Sequence, residues 1–307
     1  MANISAKDVM ELRKKTGCGM MECKKALVET DGNFDEAIKY LREKGLAVAA
    51  KKADRIAAEG VVDIHTDNGD TAIIEVNAET DFVAKNASFQ EFVKGILRTI
   101  VANKPADLNA LNALNFDGTE VTVEAELKNM IFTIGENMSI RRFDIIEGTT
   151  GCYIHGGGSA GVVTKFDTEC DANCPAFNEY AKNVCMQIAA MSPSYVDRDC
   201  VPASVIENEK AILLSQIEND ENLSKKPDAV KEKMVVGRIS KFYDNNCLVD
   251  QEYVKDGDLT VGKYTENVAK ELGKSIKIVS FVKYERGEGI EKKEDDFAAE
   301  INKLVNG

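Results

Sequence analysis

Histidine is almost missing from this sequence: His65 and His155 are the only two in 307 residues. Each falls at a predicted strand end beside a turn, so a nucleophilic triad has few candidates for its base and no evident partner for either. The plain reading of His65 is a solvent-exposed strand end. No apolar run approaches the roughly 18 residues of a membrane span. Met1-Ala2-Asn3-Ile4-Ser5 has neither a signal peptide's apolar core nor an Arg-rich transit segment, so the cytosol is the expected compartment. The eight cysteines (Cys18, Cys23, Cys152, Cys170, Cys174, Cys185, Cys200 and Cys247) include no Cys-x-x-Cys pair, and reduced thiols without disulfides are expected. A basic excess is absent as well. With 39 Lys and Arg against 52 Asp and Glu the net charge is −13, which argues against a general nucleic-acid surface because phosphate binding is mainly electrostatic.

What is present is an ordinary globular balance, 44% hydrophobic and 30% charged, in a chain long enough for two or three compact units. The charge is unevenly placed. Residues 1–58 carry 12 Lys and Arg against 9 Asp and Glu, a net of +3, leaving −16 for the rest. A small basic module precedes an acidic body.

The basic module reads as three short helices. Ser5-Ala6-Lys7-Asp8 forms a capping box, and Val9, Met10 and Leu12 supply an apolar stripe that stops at Thr16-Gly17-Cys18-Gly19. Met20, Cys23, Ala26 and Leu27 continue to Asp31-Gly32, and a third pattern opens at the cap Asn33 with Phe34, Ala37, Ile38 and Leu41 and ends at Gly45. Residues 46–58 then read as a helical or extended connector.

The acidic body contains a duplication. Gly60 to His65, a turn at Asn68-Gly69-Asp70 and Ala72 to Val76 make a hairpin, and Gly151 to His155, Gly156 to Ala160 and Gly161 to Phe166 make another. A helical run follows each, with Ser88-Phe89-Gln90-Glu91-Phe92 matching Ala176-Phe177-Asn178-Glu179-Tyr180. Two related α+β subdomains are expected. From Ser204 to Tyr243 two helical stretches, one with Ile206, Leu213 and Ile217 and one with Val230, Met234, Ile239 and Phe242, flank a break at Lys225-Lys226-Pro227. Strand-like residues resume at Ser275 to Val282, which places this helical hairpin inside the second subdomain. The tail, with Phe297, Ile301 and Leu304 at helical spacing, suggests one last amphipathic helix.

Two constellations have plain explanations. Gly156, Gly158 and Gly161 satisfy G-x-G-x-x-G, yet a phosphate cradle needs a helix directly after the glycines and Val162-Val163-Thr164-Lys165-Phe166 is a β-strand pattern, so a hairpin turn is the better account. Cys152, His155, Cys170 and Cys174 could form a zinc set, but Cys152 and His155 are an odd number apart on a strand and point to opposite faces. The stretch Glu75-Val76-Asn77-Ala78-Glu79-Thr80-Asp81-Phe82-Val83-Ala84-Lys85 stands out, because a strand leaving its sheet delivers an acid and a large aromatic into a connection. For an arbitrary Asp-Phe pair the plain expectation is a Phe folded into the core and an Asp capping a turn.

This stretch resembles the second diagnostic motif of the elongation factor Ts family, departing only at Ala78, where that family more often has Ser, Cys or Val. The first motif is matched by Leu12-Arg13-Lys14-Lys15-Thr16-Gly17-Cys18-Gly19-Met20-Met21-Glu22-Cys23-Lys24-Lys25-Ala26-Leu27, and a third by Gly287-Glu288-Gly289-Ile290-Glu291-Lys292 with Asp296-Phe297-Ala298-Ala299-Glu300. The resemblance covers essentially the whole chain. It implies a fold of class α+β: a module similar to ubiquitin-associated domains (residues 1–56), a core of two subdomains (57–148 and 149–290, with the hairpin at about 200–243) and a C-terminal module (291–307). It implies a guanine nucleotide exchange factor rather than an enzyme, acting on the translational GTPase elongation factor Tu. No cofactor, metal, direct nucleic-acid contact or membrane is implied, and a homodimer or a 2:2 complex is left open. By the same resemblance Thr80, Asp81, Phe82 and Val83 form a wedge into the GTPase domain, while Lys51, His155, Val254 and Leu304 are further partner contacts. Two other classes stay open from the residues alone: an adaptor, which would have no need of Glu75 to Lys85, and a metal-dependent enzyme around the four candidate zinc ligands.

Overall fold

The computed structural model describes residues 4–171 and 173–291. The first helix, α1 (Ala6–Thr16), opens on the predicted capping box, with Ser5 Oγ accepting from the Asp8 amide and Asp8 accepting from the Ser5 amide. It closes at Gly17 in the left-handed region. With α2 (Met20–Glu29) and α3 (Phe34–Lys52) it buries Val9, Leu12, Cys23, Ala26, Leu27 and Leu41 in a small core. Met10 does not join that stripe: it is 63% exposed, because it lies about 100° round the helix from Val9. Gly45 does not end α3 either. A Cβ at Gly45 would lie 3.4 Å from the Cβ of Phe132 in a later helix, so the glycine marks a close helix crossing and the helix continues to Lys52.

The body starts with β1 (Glu59–Asp67) and β2 (Asp70–Ala78), antiparallel and joined by Asn68-Gly69, both with positive φ as the right-handed strand twist requires. His65 is therefore inside β1 opposite Ala72 and half-buried, not an exposed strand end, since the strand runs two residues further than expected. Then come α4 (Asp81–Ala84), α5 (Ala87–Asn103), α6 (Leu108–Ala113), α7 (Val123–Ile134) and β3 (Met138–Glu147), which returns to pair with β2. The sheet order is β1-β2-β3. Phe89, Phe92, Ile96 and Ile100 of α5 pack on Ile74 and Val76 of this sheet. Phe132, half-buried against the core of the first three helices, brings α7 against α3.

The second unit repeats the plan. β4 (Thr150–His155) and β5 (Ala160–Thr168) are followed by α8 (Pro175–Met191), and after an insertion β8 (Ile276–Glu285) pairs with β5, giving the order β4-β5-β8. Phe177, Tyr180 and Ile188 of α8 pack on Val162 and Phe166. The inserted segment holds α9 (Ala203–Asn219), α10 (Asp228–Asn246), the short strands β6 (Glu252–Tyr253) and β7 (Asp256–Thr260), and α11 (Val261–Leu272). As expected, α9 and α10 meet at the Lys225-Lys226-Pro227 break; Leu213, Ile217, Val235 and Ile239 fill their seam, whereas Val230 is exposed.

Two details identify the repeats as one design. α5 and α8 are both 17 residues long and both end on a non-glycine residue in the left-handed region, Lys104 and Ser192. Each sheet also carries a register shift at the equivalent point, between Glu75 and Val76 in one and between Lys165 and Phe166 in the other. The sheets pack together through Val62, Ile73, Val163 and Tyr284. The Val62 amide donates to the Gly158 carbonyl at 2.8 Å, and a Cβ at Gly161 would lie 2.6 Å from Val62, so side-chain-free positions let the second hairpin close on β1. Phe89 and Phe177 are fully buried anchors of the two helices. Phe89→Ala and Phe177→Ala should each lower stability by about 3–5 kcal/mol in urea titrations; a loss under about 1 kcal/mol for either would show that its helix does not depend on that contact.

Candidate partner-binding site

β2 leaves its sheet at Ala78, and Glu79-Thr80 lead into α4, a single helical turn. Four residues cannot sustain a helix by themselves, so the turn is held from outside. Val83 and Ala84 are buried in the core of the first unit. Thr80 donates from its amide and its hydroxyl to the two carboxylate oxygens of Glu136, at 3.0 and 2.8 Å. Gln90 in α5 donates to the Ala84 carbonyl at 3.3 Å. Held this way, Phe82 is 80% exposed, which overturns the expectation for an arbitrary Asp-Phe pair that the ring folds into the core. Leaving such a ring in water forgoes about 1.5–3 kcal/mol of burial, so stability does not explain its place.

Asp81 beside it accepts from Lys85 Nζ at 2.6 Å, and this hydrogen bond holds its carboxyl below the usual aspartate range. Both side chains are largely solvated, so the pair contributes little to stability and leaves Asp81 available as an anion.

The turn between α7 and β3 reaches both this site and the end of α3. Lys52 Nζ donates to the Gly135 carbonyl. Asn137 Nδ2 donates to the carbonyls of Ala53 and Arg55 at 3.3 and 2.7 Å, its amide donates to Glu79, and Arg55 pairs with Glu79 at 3.5 Å. Lys51 is exposed in the last turn of α3, next to the Lys52 that bonds Gly135. His155 is exposed at the end of β4, its Nδ1 2.9 Å from the Tyr153 hydroxyl. Its turn lines a cleft with Gln90 and Lys94 of α5, on the flank of the helix that follows α4. Gly156, Gly157 and Gly158 all take positive φ there and lead into a strand, as a hairpin turn requires. Val254 stands elsewhere, in the β6–β7 turn, 47% exposed with its amide donating to Gln187 of α8 at 2.9 Å. Leu304 and the expected tail helix lie outside the described residues.

Beneath the turn, Glu75 is fully buried and accepts from four groups: Arg141 at 2.9 Å, Arg142 at 2.7 Å, Asn77 at 3.1 Å and the Gly287 amide at 2.7 Å. The register shift explains the two arginines. Glu75 pairs with Arg142 and Val76 with Ile140, so Arg141 is the extra residue of a bulge. In a regular strand these neighbours would face opposite sides; the bulge turns both toward one carboxylate. Gly287 takes φ 70°, and a Cβ there would lie 2.3 Å from the Ala58 carbonyl oxygen, so a glycine is needed where its amide meets Glu75. Burial would raise the Glu75 pKa, but the four donors outweigh it and hold the carboxyl below its ordinary value.

The family model described as Elongation factor TS matches residues 79–288, from the base of this turn to the segment that caps Glu75. The chain is 48% identical over 305 residues to elongation factor Ts of Syntrophotalea carbinolica, covering 98% of this chain and 99% of that protein. Elongation factors Ts of Clostridium botulinum (47% over 307 residues) and Clostridium kluyveri (45% over 310) match over comparable shares, 98% and 99% of this chain and 99% of each relative.

The chain belongs to the elongation factor Ts family. Within this member, the second and third sequence motifs meet at one place, where Gly287 caps Glu75. All eight cysteines are free thiols, and among the described residues no three His, Cys, Asp or Glu side chains converge on a metal-sized site. No helix of the described residues is long and apolar enough to cross a membrane. Sequence reasoning missed Glu136, Asn137 and the Arg141-Arg142 pair. The one available signal was a lone acid inside the apolar run Ala72-Ile73-Ile74-Glu75-Val76, which demands a buried cation from elsewhere.

Glu75→Gln should lower stability near neutral pH by about 2–3 kcal/mol, below the full cost of breaking a buried pair because both arginines are partly solvated. A depressed folded pKa stabilises above the ordinary glutamate value, about 4.3, and that contribution is lost as pH falls through the folded value. The gap between wild type and E75Q in urea midpoints should therefore narrow as pH falls below the ordinary glutamate value; a constant gap would contradict the ionised network.

Proposed function

We propose that this chain is a guanine nucleotide exchange factor that binds elongation factor Tu and promotes GDP release during translation elongation, in the cytoplasm, without chemistry of its own. The observation that carries the reading is Phe82: a large apolar ring held 80% exposed beside an ionised Asp81, on a turn fixed by the surrounding fold. Membership of the elongation factor Ts family supports the partner, and the exposed pair supports the mechanism. Phe82 enters a pocket between helices of the GTPase domain that exists only when the domain opens. Burying the ring there gives about 1.5–3 kcal/mol, and the adjacent carboxylate disfavours bound phosphate and disturbs the partner's magnesium shell.

Exchange is reciprocal coupling: the factor weakens nucleotide binding by the same ratio as nucleotide weakens factor binding. A thousandfold effect needs about 4 kcal/mol, more than one ring supplies, so further contacts are required. Thr80 and Val83 flank the wedge, and Lys51 on the basic module, His155, Val254 and Leu304 provide the additional surfaces. The same reading divides the chain into a docking module (1–56), two core subdomains (57–148 and 149–290, with the hairpin at about 200–243) and a C-terminal module (291–307).

Release of fluorescent GDP from elongation factor Tu tests the reading. Substoichiometric amounts of this protein should accelerate it, and Phe82→Ala should reduce the acceleration about tenfold or more, at least as much as Asp81→Ala. Undiminished exchange by both variants would discard the wedge.

A further inference from the structure

We propose that Glu136 is a positioning residue for exchange: it acts through Thr80 to present Phe82 before the partner arrives. The proposal rests on the exchange reading above and extends it to a residue that carries no part of the wedge.

Thr80 occupies the N-cap position of α4 with extended backbone, φ −128° and ψ 156°, but its side chain makes no capping hydrogen bond. Its hydroxyl is turned instead to Glu136 Oε1, and its amide to Oε2 of the same carboxylate. One anion thus holds both donors of the residue directly before the Asp81-Phe82 pair, and hydrogen bonds to a charged acceptor are the stronger kind. The remaining anchors of α4, Val83 and Ala84, lie beyond the pair on its C-terminal side. Without Glu136 the N-terminal side of the turn is held only through Glu79, one residue further from the pair, where Asn137 and Arg55 grip its carboxylate, and a single helical turn does not persist unaided.

Glu136 is itself fixed. On one side Gly135 ends α7 with φ 90° and accepts from Lys52; on the other Asn137 is buried and bonded to Ala53, Arg55 and Glu79. Three consecutive residues therefore register the wedge turn against the end of α3. A wedge ordered in advance binds without first being ordered, so the apparent affinity for the opened partner is not reduced by the fraction of misplaced turns.

The test uses the full chain with Glu136→Ala, Glu136→Gln and Thr80→Val. In the free protein, Glu136→Ala should speed amide hydrogen exchange at Thr80 about tenfold, and it should lower the acceleration of GDP release from elongation factor Tu by about tenfold. Glu136→Gln, which keeps an acceptor for Thr80, should recover most of both losses, and Thr80→Val, which removes the hydroxyl bond alone, should fall between. In a Phe82→Ala background, Glu136→Ala should cost less than about twofold, because the residue it positions is gone. Unchanged amide exchange at Thr80, or an equal loss with and without the Phe82 ring, would overturn the proposal. If the wild-type protein fails to accelerate GDP release, the exchange reading falls, while amide exchange at Thr80 still decides whether Glu136 holds the turn.

Discussion

A buried carboxylate ties together the elements from which the exposed Asp81-Phe82 turn departs. Glu75 sits in the central strand of the first sheet with no exposure, and an ion there is tolerable only if nearly every lone pair is met. Meeting them requires a bulge that aims Arg141 and Arg142 at one point, and a glycine at residue 287 whose amide arrives from the segment just after β8. Arg142 then lies over the ring of Tyr284, whose hydroxyl donates to Asp144 at 2.6 Å. The strand that leads into the Asp81-Phe82 turn, the strand beside it and the segment after β8 are thereby locked together a few residues before the chain turns out to Phe82.

The duplication throws this arrangement into relief. Both halves keep the antiparallel three-stranded sheet and the 17-residue helix, because those follow from period-2 and period-3.6 apolar patterns that each half retains, and both keep the bulge that interrupts the alternation. At the position of Glu75 the second half has Lys165, half-buried and without the paired arginines. Among the described residues, only the first half turns through a short helix between its second strand and its long helix. The symmetrical features build the body, and the site occupies the places where the symmetry is broken.

Much of the architecture was legible in the residues. The capping box at Ser5, the Asn68-Gly69 hairpin turn, the matched Phe89 and Phe177 helices and the Pro227 break all act within a few residues of themselves, so local rules find them. Where local rules misled, a distant contact had intervened. Gly45 reads as a helix end until Phe132 is seen lying against it, and Met10 reads as core until the helix it sits on is oriented. The region from Lys104 to Glu147, with α6, α7 and β3, went unread because its apolar spacing is short and interrupted.

Sequence alone determined the class of fold, the repeat, the inserted helical hairpin and the identity of the Asp81-Phe82 stretch, since these rest on periodicity, turn chemistry and motif. Only the tertiary structure decided that the Phe82 ring faces water. Nothing in residues 79–85 distinguishes an inward from an outward aromatic; the choice is made by Glu136, 56 residues away from Thr80, and by the burial of Val83 and Ala84 against other elements. A side chain's direction on a single helical turn is set by whatever grips that turn, and the grip comes from parts of the chain that local pattern cannot bring together.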